Sequence, residues 1–272
     1  MTLTAFLVLV AGVLGLVIGS FLNVVAYRVP AGIPLTRESR CPHCDAPVRW
    51  WQNVPVLGWL ALGGRCASCR TRISARYPIV EALTGVLFAV VAWWFLGAGS
   101  DGMPAAAASI VTVAYLYLAA VSVVLTLIDL DTHRLPNSIV LPSYIVGAAL
   151  FTLACLVGAD WWSLARAAIG AAALFGFYFV LRLVRPDGMG GGDVKLAGVL
   201  GMYLGWLGWG ALAVGAFAAF LLGGVFGIVL LLVRRANRRT AIPFGPWMIA
   251  GAWIGIFAGE ALGRLYGDLY AS

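Results

Sequence analysis

The chain has 272 residues, 62% of them hydrophobic and only 11% charged, with a formal net charge of +7 at pH 7. A soluble domain carries about a quarter charged residues, so the composition excludes an ordinary soluble globular protein and points to a polytopic membrane protein. The basic residues sit in short blocks between apolar spans, as the positive-inside rule describes, which excludes nucleic acid as the reason for the positive charge.

The first apolar run, residues 3–27, has no basic residue before it; the first is Arg28. It also lacks a convincing small-residue cleavage site, so it reads as a retained first helix with its N-terminus outside. Further apolar segments near the roughly 20 residues a bilayer core requires fall at 79–98, 104–128, 138–158, 161–184, 207–233 and 241–265. A shorter piece, Val194 to Trp206, lies between the fifth and sixth of these seven. At 1.5 Å rise per residue it reaches about 20 Å, short of a hydrocarbon core of roughly 30 Å. Its start is therefore expected below the surface in a protein-lined, wet cavity, or in a thinned bilayer. Counting it gives an all-α membrane protein of about eight transmembrane helices.

Alternation from an outside N-terminus puts 28–78, 129–137, 185–195 and 234–240 on the inner side. These segments hold nearly all the basic residues, including Arg134, Arg185, Lys195 and the block Arg234, Arg235, Arg238 and Arg239. Arg182 lies at the inner end of the fifth span, and only Arg166 and Arg264 fall toward the other side. The expected division is a first helix at 1–27, an inner soluble domain at 28–78, and a transmembrane domain at 79–272.

The inner domain holds four of the five cysteines. Cys41-Pro-His-Cys44 and Cys66-Ala-Ser-Cys69 give the spacing C-x2-C-x21-C-x2-C, two knuckles able to supply four thiolates to a tetrahedral Zn2+. On the reducing side of a membrane, disulfides are not expected. His43 reads as a bystander within its knuckle, and Cys155, alone in the fourth span, as core.

The next constellation is LIDLDTHRLPN, Leu127 to Asn137, in which Asp129 closes the third span at the inner interface. A carboxylate at a helix C-terminus opposes the dipole, so Asp129 needs either pairing with Arg134 or a partner carboxylate elsewhere. Asp193, in GMGGGDVKL (Gly188 to Leu196), is that candidate, also on the inner side and just before a helix. Two carboxylates brought close share a proton, so one can serve as base toward water while the other donates to a scissile carbonyl. Gly190, Gly191 and Gly192 would let the backbone adopt positive φ and approach an extended peptide. A phosphate-binding loop is the other use of such glycines, but no strand precedes them and no GKS/T follows. On these residues alone, a paired-aspartate hydrolase stands beside a structural or transport protein.

The residues do resemble a known family, the type IV prepilin peptidases, which are bifunctional leader peptidase/N-methyltransferases. GSFLNVVAYRVP (19–30) resembles its first-helix signature, SRCPHCDAPVRWWQNVPVLGWLALGGRCASCRTRISARYPIVEALTG (39–85) its cytoplasmic domain, and DLDTHRLPN and GMGGGDVKL its two catalytic motifs. Beyond Lys195 the likeness is mainly one of hydropathy. The resemblance implies an intramembrane aspartyl protease of the GxGD class in the bacterial inner membrane. Asp129 and Asp193 are then the catalytic pair and Asp131 a neighbour. It further implies cleavage of prepilins or pseudopilins after a glycine that ends a short basic leader, on the cytoplasmic side. Methylation of the new amine from S-adenosylmethionine follows. Lys195 would hold the loop or tune the pair, or serve only as an interfacial lysine. Glu81, in RYPIVEALTG, would meet the leader or the new amine, or simply favour the helix dipole. Asn23 reads as an interhelical hydrogen bond. The competing readings are a peptidase without methyl transfer, and a membrane transporter or scaffold with a zinc docking domain. A transporter should show paired broken helices near the midplane. The composition leaves the oligomeric state open.

Overall fold

The computed structural model describes residues 2–98, 102–186, 189–233 and 243–271, apart from the side chains of 98, 264 and 266–271. Gly188, Arg234, Arg235, Arg238, Arg239 and the side chain of Arg264 therefore lie outside the described residues. The described residues are helical, and their only extended pairings are two isolated antiparallel bridges.

The helices are α1 (Leu3–Arg28), α2 (Leu57–Ala61), α3 (Arg76–Trp93), α4 (Ala105–Thr132), α5 (Asn137–Leu156), α6 (Trp161–Val184), α7 (Gly191–Leu207), α8 (Trp209–Leu232) and α9 (Gly245–Ala271). A 3-10 turn at Trp50–Asn53 precedes α2, and a π-helical turn at Trp94–Ala98 continues α3. Among the described residues, six helices are long and apolar enough to cross a membrane: α1, α3 with its π turn, α4, α5, α6 and α8. The protein is an integral membrane protein; α7, with 17 residues, and α9 stand outside that six.

The chain forms two compact units, Met1–Val124 and Leu125–Ser272. In the first, α1 packs along α3. Gly15 and Gly19 make this possible, because a Cβ at either would lie within 3 Å of Thr84 O or of Glu81 Cα respectively. Without a hydrophobic drive between lipid-facing helices, such small residues let backbones approach and gain dispersion contacts. Asn23 Nδ2 donates to Tyr77 O at 3.2 Å, the interhelical hydrogen bond expected of it. Arg28, 7% exposed, ends α1 and turns its guanidinium on the carbonyls of Pro34, Leu35, Arg37 and Glu38.

The segment between α1 and α3 repeats one small device. Cys41 N–H donates to Ala46 O and Asp45 N–H to Cys41 O; Cys66 N–H donates to Thr71 O and Arg70 N–H to Cys66 O. Asp45 and Arg70 both take left-handed φ, at 53° and 60°. One antiparallel bridge closes each turn, Arg40 with Pro47 and Arg65 with Arg72. The sequence suggests no repeat here because little beyond an Arg-Cys-x-x-Cys core coincides.

In the second unit α7 lies between α6, α5, α8 and α9, and every residue from Val194 to Trp206 except Lys195 is buried. A helix apolar all round belongs in a protein interior. This explains its length, since it need not match a lipid thickness. Gly201 rides on Gly170 of α6, where a Cβ would strike the Gly170 carbonyl. Cys155 is buried and free, as a core residue should be.

Candidate active site and metal centre

The four knuckle cysteines converge, with all Sγ atoms within 4.8 Å of one another. Cys41 Sγ lies 3.8 Å from Cys69 Sγ, and Cys44 Sγ 3.9 Å from Cys66 Sγ. A tetrahedron with Zn–S bonds of about 2.3 Å has edges of about 3.8 Å, so these separations fit an ion held by all four thiolates. The Thr71 hydroxyl, 3.3 Å from Cys69 Sγ, and the Thr71 amide draw the Cys69 thiol down to about 6. The amides of His43 and Cys44 lower Cys41. Cys44 goes the other way: against the lowering Ala46 amide, its cysteine neighbours push it up to about 11, so an ion binding there must displace that proton. His43 takes no place in the cluster.

Glu81 lies in the second turn of α3 and is 8% exposed. The first turn of α3 holds no acid, so the helix-dipole role expected for Glu81 has no geometric basis, since that effect fades within the first turn. Its Oε2 instead accepts the Val56 N–H at 2.7 Å. Val56 sits at φ 61°, a conformation costly for a β-branched residue. The carboxylate thus fixes the corner where the 3-10 turn passes into α2.

In the second unit the two aspartate motifs meet. Helix α4 runs on to Thr132 and stops where His133 takes φ 52° and donates its N–H to Asp129 O. Leu135, ahead of Pro136, cannot continue it. Asp129 is therefore inside the last turn and not the closing residue expected of it. It is 4% exposed, and its Oδ2 accepts the Gly245 N–H at 3.0 Å. Asp131 is exposed.

Asp193 stands at the third position of α7, where its Oδ2 accepts the Gly190 N–H at 3.0 Å. The glycines do not adopt the positive φ expected of them: Gly190 has φ −69°, and Gly191 and Gly192 open the helix. Their smallness serves close approach within the chain instead. A Cβ at Gly191 would lie 2.5 Å from an Arg182 nitrogen, and one at Gly192 2.8 Å from Leu135 Cβ.

Leu135 also packs beside Gly245, where a Cβ would lie 3.4 Å from its Cδ2 and 2.7 Å from Asp129 Oδ2. One leucine thus touches the backbone that leads to each carboxylate, and the two carboxylates are close enough to interact electrostatically. Lys195 Nζ donates to Asn137 Oδ1 at 2.8 Å, while its carbonyl accepts the Tyr144 hydroxyl at 2.6 Å. Lys195 joins α7 to the end of the first aspartate motif.

Gly245 was not legible as a site residue. The signal was the Pro243-Phe-Gly-Pro246 punctuation, which marks a turn opening a helix. Buried Tyr178, within electrostatic reach of Asp193, and Phe244 pack with Phe220, with ring centroids 5.4–6.3 Å apart.

Residues 13–95 match the family described as Bacterial Peptidase A24 N-terminal domain, and residues 116–230 the Type IV leader peptidase family. A prepilin leader peptidase/N-methyltransferase of Neisseria gonorrhoeae is 38% identical over 96% of this chain and 94% of its own length. The chain belongs to the type IV leader peptidase family. Enzymes of the same name from Stutzerimonas stutzeri and Pseudomonas putida are 35% and 36% identical, covering 95% and 98% of this chain and 93% and 94% of their own lengths. No solved structure matches significantly. The two family segments of the leader peptidase take in the knuckles, Glu81 and both aspartate motifs; Gly245 lies beyond them.

Proposed function

We propose that this protein is an intramembrane aspartyl endopeptidase that cleaves type IV prepilins or pseudopilins after the leader glycine, with Asp129 and Asp193 as its catalytic carboxylates. The supporting observation is the convergence of two distant motifs around Leu135, each carboxylate held by a glycine N–H at the start of a helix.

With one proton shared between them, the ionised carboxylate takes a proton from water as its oxygen attacks the scissile carbonyl carbon. The protonated partner gives its proton to the carbonyl oxygen. When the tetrahedral intermediate collapses, the C–N bond breaks and the leaving nitrogen takes a proton from the carboxyl that received it from water. The intermediate's hydroxyl proton returns to the other carboxyl, restoring the shared proton. Gly245 and Gly190 hold one oxygen of each aspartate throughout.

The relatives' names support a second activity, N-methylation of the new amine, for which S-adenosylmethionine supplies the methyl group. Zn2+ on Cys41, Cys44, Cys66 and Cys69 is structural in this reading and takes no part in peptide hydrolysis. We place the enzyme in the bacterial inner membrane, with the N-terminus outside. The 28–78 domain and both aspartates then face the cytoplasm, and α7 and α9 complete eight crossings. Positive-inside charge favours this orientation.

The test is incubation of the purified full chain in liposomes with a prepilin and S-adenosylmethionine, followed by mass analysis of both fragments. Cleavage after glycine, with a methyl group gained by the mature fragment, is expected. An intact substrate with folded enzyme would reject the peptidase reading.

A further inference from the structure

The soluble segment carries an apolar face that the described residues leave uncovered. Trp50 in the 3-10 turn is 84% exposed, and Leu57 and Leu60 on α2 are 64% and 59% exposed. Trp59, between them, turns inward, its ring against Gly64 and its Nε1 donating to Ile73 O at 3.2 Å. The inner side of α2 is thus bound to the domain, and its outer side presents leucine.

The depth of this face is fixed by one hydrogen bond. Glu81 is the sixth residue of α3, so it lies about 7.5 Å along that helix from Arg76. The candidate span begins at Arg76 itself. Val56, bonded to Glu81 at 2.7 Å, is therefore level with the first turns of a membrane-crossing helix, and α2 starts at the next residue. Exposed Tyr27, in the last turn of α1, and Tyr77, at the start of α3, mark the same level with amphipathic rings.

Charge selects the occupant. Residues 28–78 contain eight arginines and two acids, and Arg40 engages both acids, Glu38 at 3.3 Å and Asp45 at 3.1 Å. Arg49, Arg65, Arg70 and Arg72 are exposed around the knuckles and the Trp50 turn. Such a surface repels a basic leader peptide and attracts anionic headgroups.

We infer that the Trp50–Ala61 segment is an interfacial anchor, with Trp50, Leu57 and Leu60 lying in the anionic headgroup region of the leaflet from which α1 and α3 emerge. An amphipathic element bearing apolar side chains and flanking arginines binds such a surface by buried area and charge together. The zinc domain then lies on the bilayer and does not project away from it.

The experiment is hydrogen exchange of segment 49–62 in the full-length protein. It compares nanodiscs of phosphatidylcholine with nanodiscs that also contain phosphatidylglycerol. Exchange should be about tenfold slower in the anionic discs, and the difference should vanish near 1 M salt, where the Debye length is about 3 Å. A Leu57→Ser/Leu60→Ser double variant should lose the lipid dependence while keeping its bound metal. Equal exchange in both discs at low salt would overturn the inference. Protection that appears only when prepilin is added would also overturn it and assign the face to substrate. None of these readings depends on cleavage.

Discussion

Gly245 N–H and Asp129 Oδ2 form a buried hydrogen bond of 3.0 Å between residues 116 positions apart in the chain. The first N–H groups of a helix have no partner within it, and α9 offers one of them to the carboxylate. No other residue fits at this position without displacement, because a Cβ would stand 2.7 Å from that same oxygen. Gly245→Ala should therefore lower kcat for prepilin cleavage by about a hundredfold, the cost of roughly 1 Å of misplacement at a reacting group. KM should change little, and methylation of pre-cleaved pilin should persist. Unchanged kcat in the folded variant would show that Asp129 needs no such hold.

The pair itself is tested by amides. Asp129→Asn and Asp193→Asn should each nearly abolish cleavage, and the double variant should be no worse than either, since groups acting as a unit are not additive. Asp131→Asn, at an exposed position, should retain much of the activity. Peptide release by matched amounts of folded enzyme provides the measure. Near-normal cleavage by either of the first two variants would remove the assignment.

Lys195 donates to Asn137 rather than to either aspartate. Lys195→Met, which keeps the chain length, should lower the unfolding temperature, because a lost hydrogen bond to a charged group costs about 1.5–3 kcal/mol. It should reduce cleavage by less than about tenfold, because the amine bonds Asn137 and neither carboxylate. A loss as large as that of the aspartate variants would mean that the lysine acts on the carboxylates themselves.

Metal analysis should find about one zinc per chain. Cys41→Ser or Cys66→Ser should lower that content and expose 28–78 to protease, because metal binding there is folding energy. Bound thiols carry fewer protons than free ones, so affinity must fall as pH falls. The two ends of the cluster differ before any ion binds, Cys69 near 6 and Cys44 near 11, so protons should compete first at Cys44 and metal content should fall as the buffer is acidified. Metal content that does not change between neutral and acidic buffer would contradict thiolate ligation.

Glu81→Leu would leave the part-buried Val56 N–H without its acceptor, at a cost of about 1 kcal/mol or more. Val56→Gly should be tolerated, because glycine adopts φ 61° without steric strain. Thermal unfolding of both variants is the check. A Glu81→Leu protein as stable as wild type, yet with impaired methylation, would return Glu81 to a role with substrate.

What the sequence revealed and what it concealed follow from range. The knuckles were legible because four ligands within two short turns fix their own geometry, and the spans because burial in lipid demands unbroken apolar runs. The aspartates were legible through their motifs, although the end of α4 was misplaced by three residues. That error came from ending the helix where the apolar run ends, whereas the left-handed turn at His133 closes it. The roles of Gly191, Gly192 and Gly245 were hidden. Each makes room for one neighbour, Arg182, Leu135 or Asp129, and no periodicity announces a contact between distant residues.

Arg28 of α1 gathers the carbonyls of the 34–38 turn and Glu81 of α3 holds the Val56 amide, while Asn23 ties the two helices to each other through the Tyr77 carbonyl. A body held at two separate points, by two helices that are themselves tied together, has little freedom to pivot. The zinc-binding segment therefore cannot swing on α1 and α3 like a tethered weight. It should turn with them as the head of a lever, so that a force applied to the knuckles is delivered as torque to the two helices.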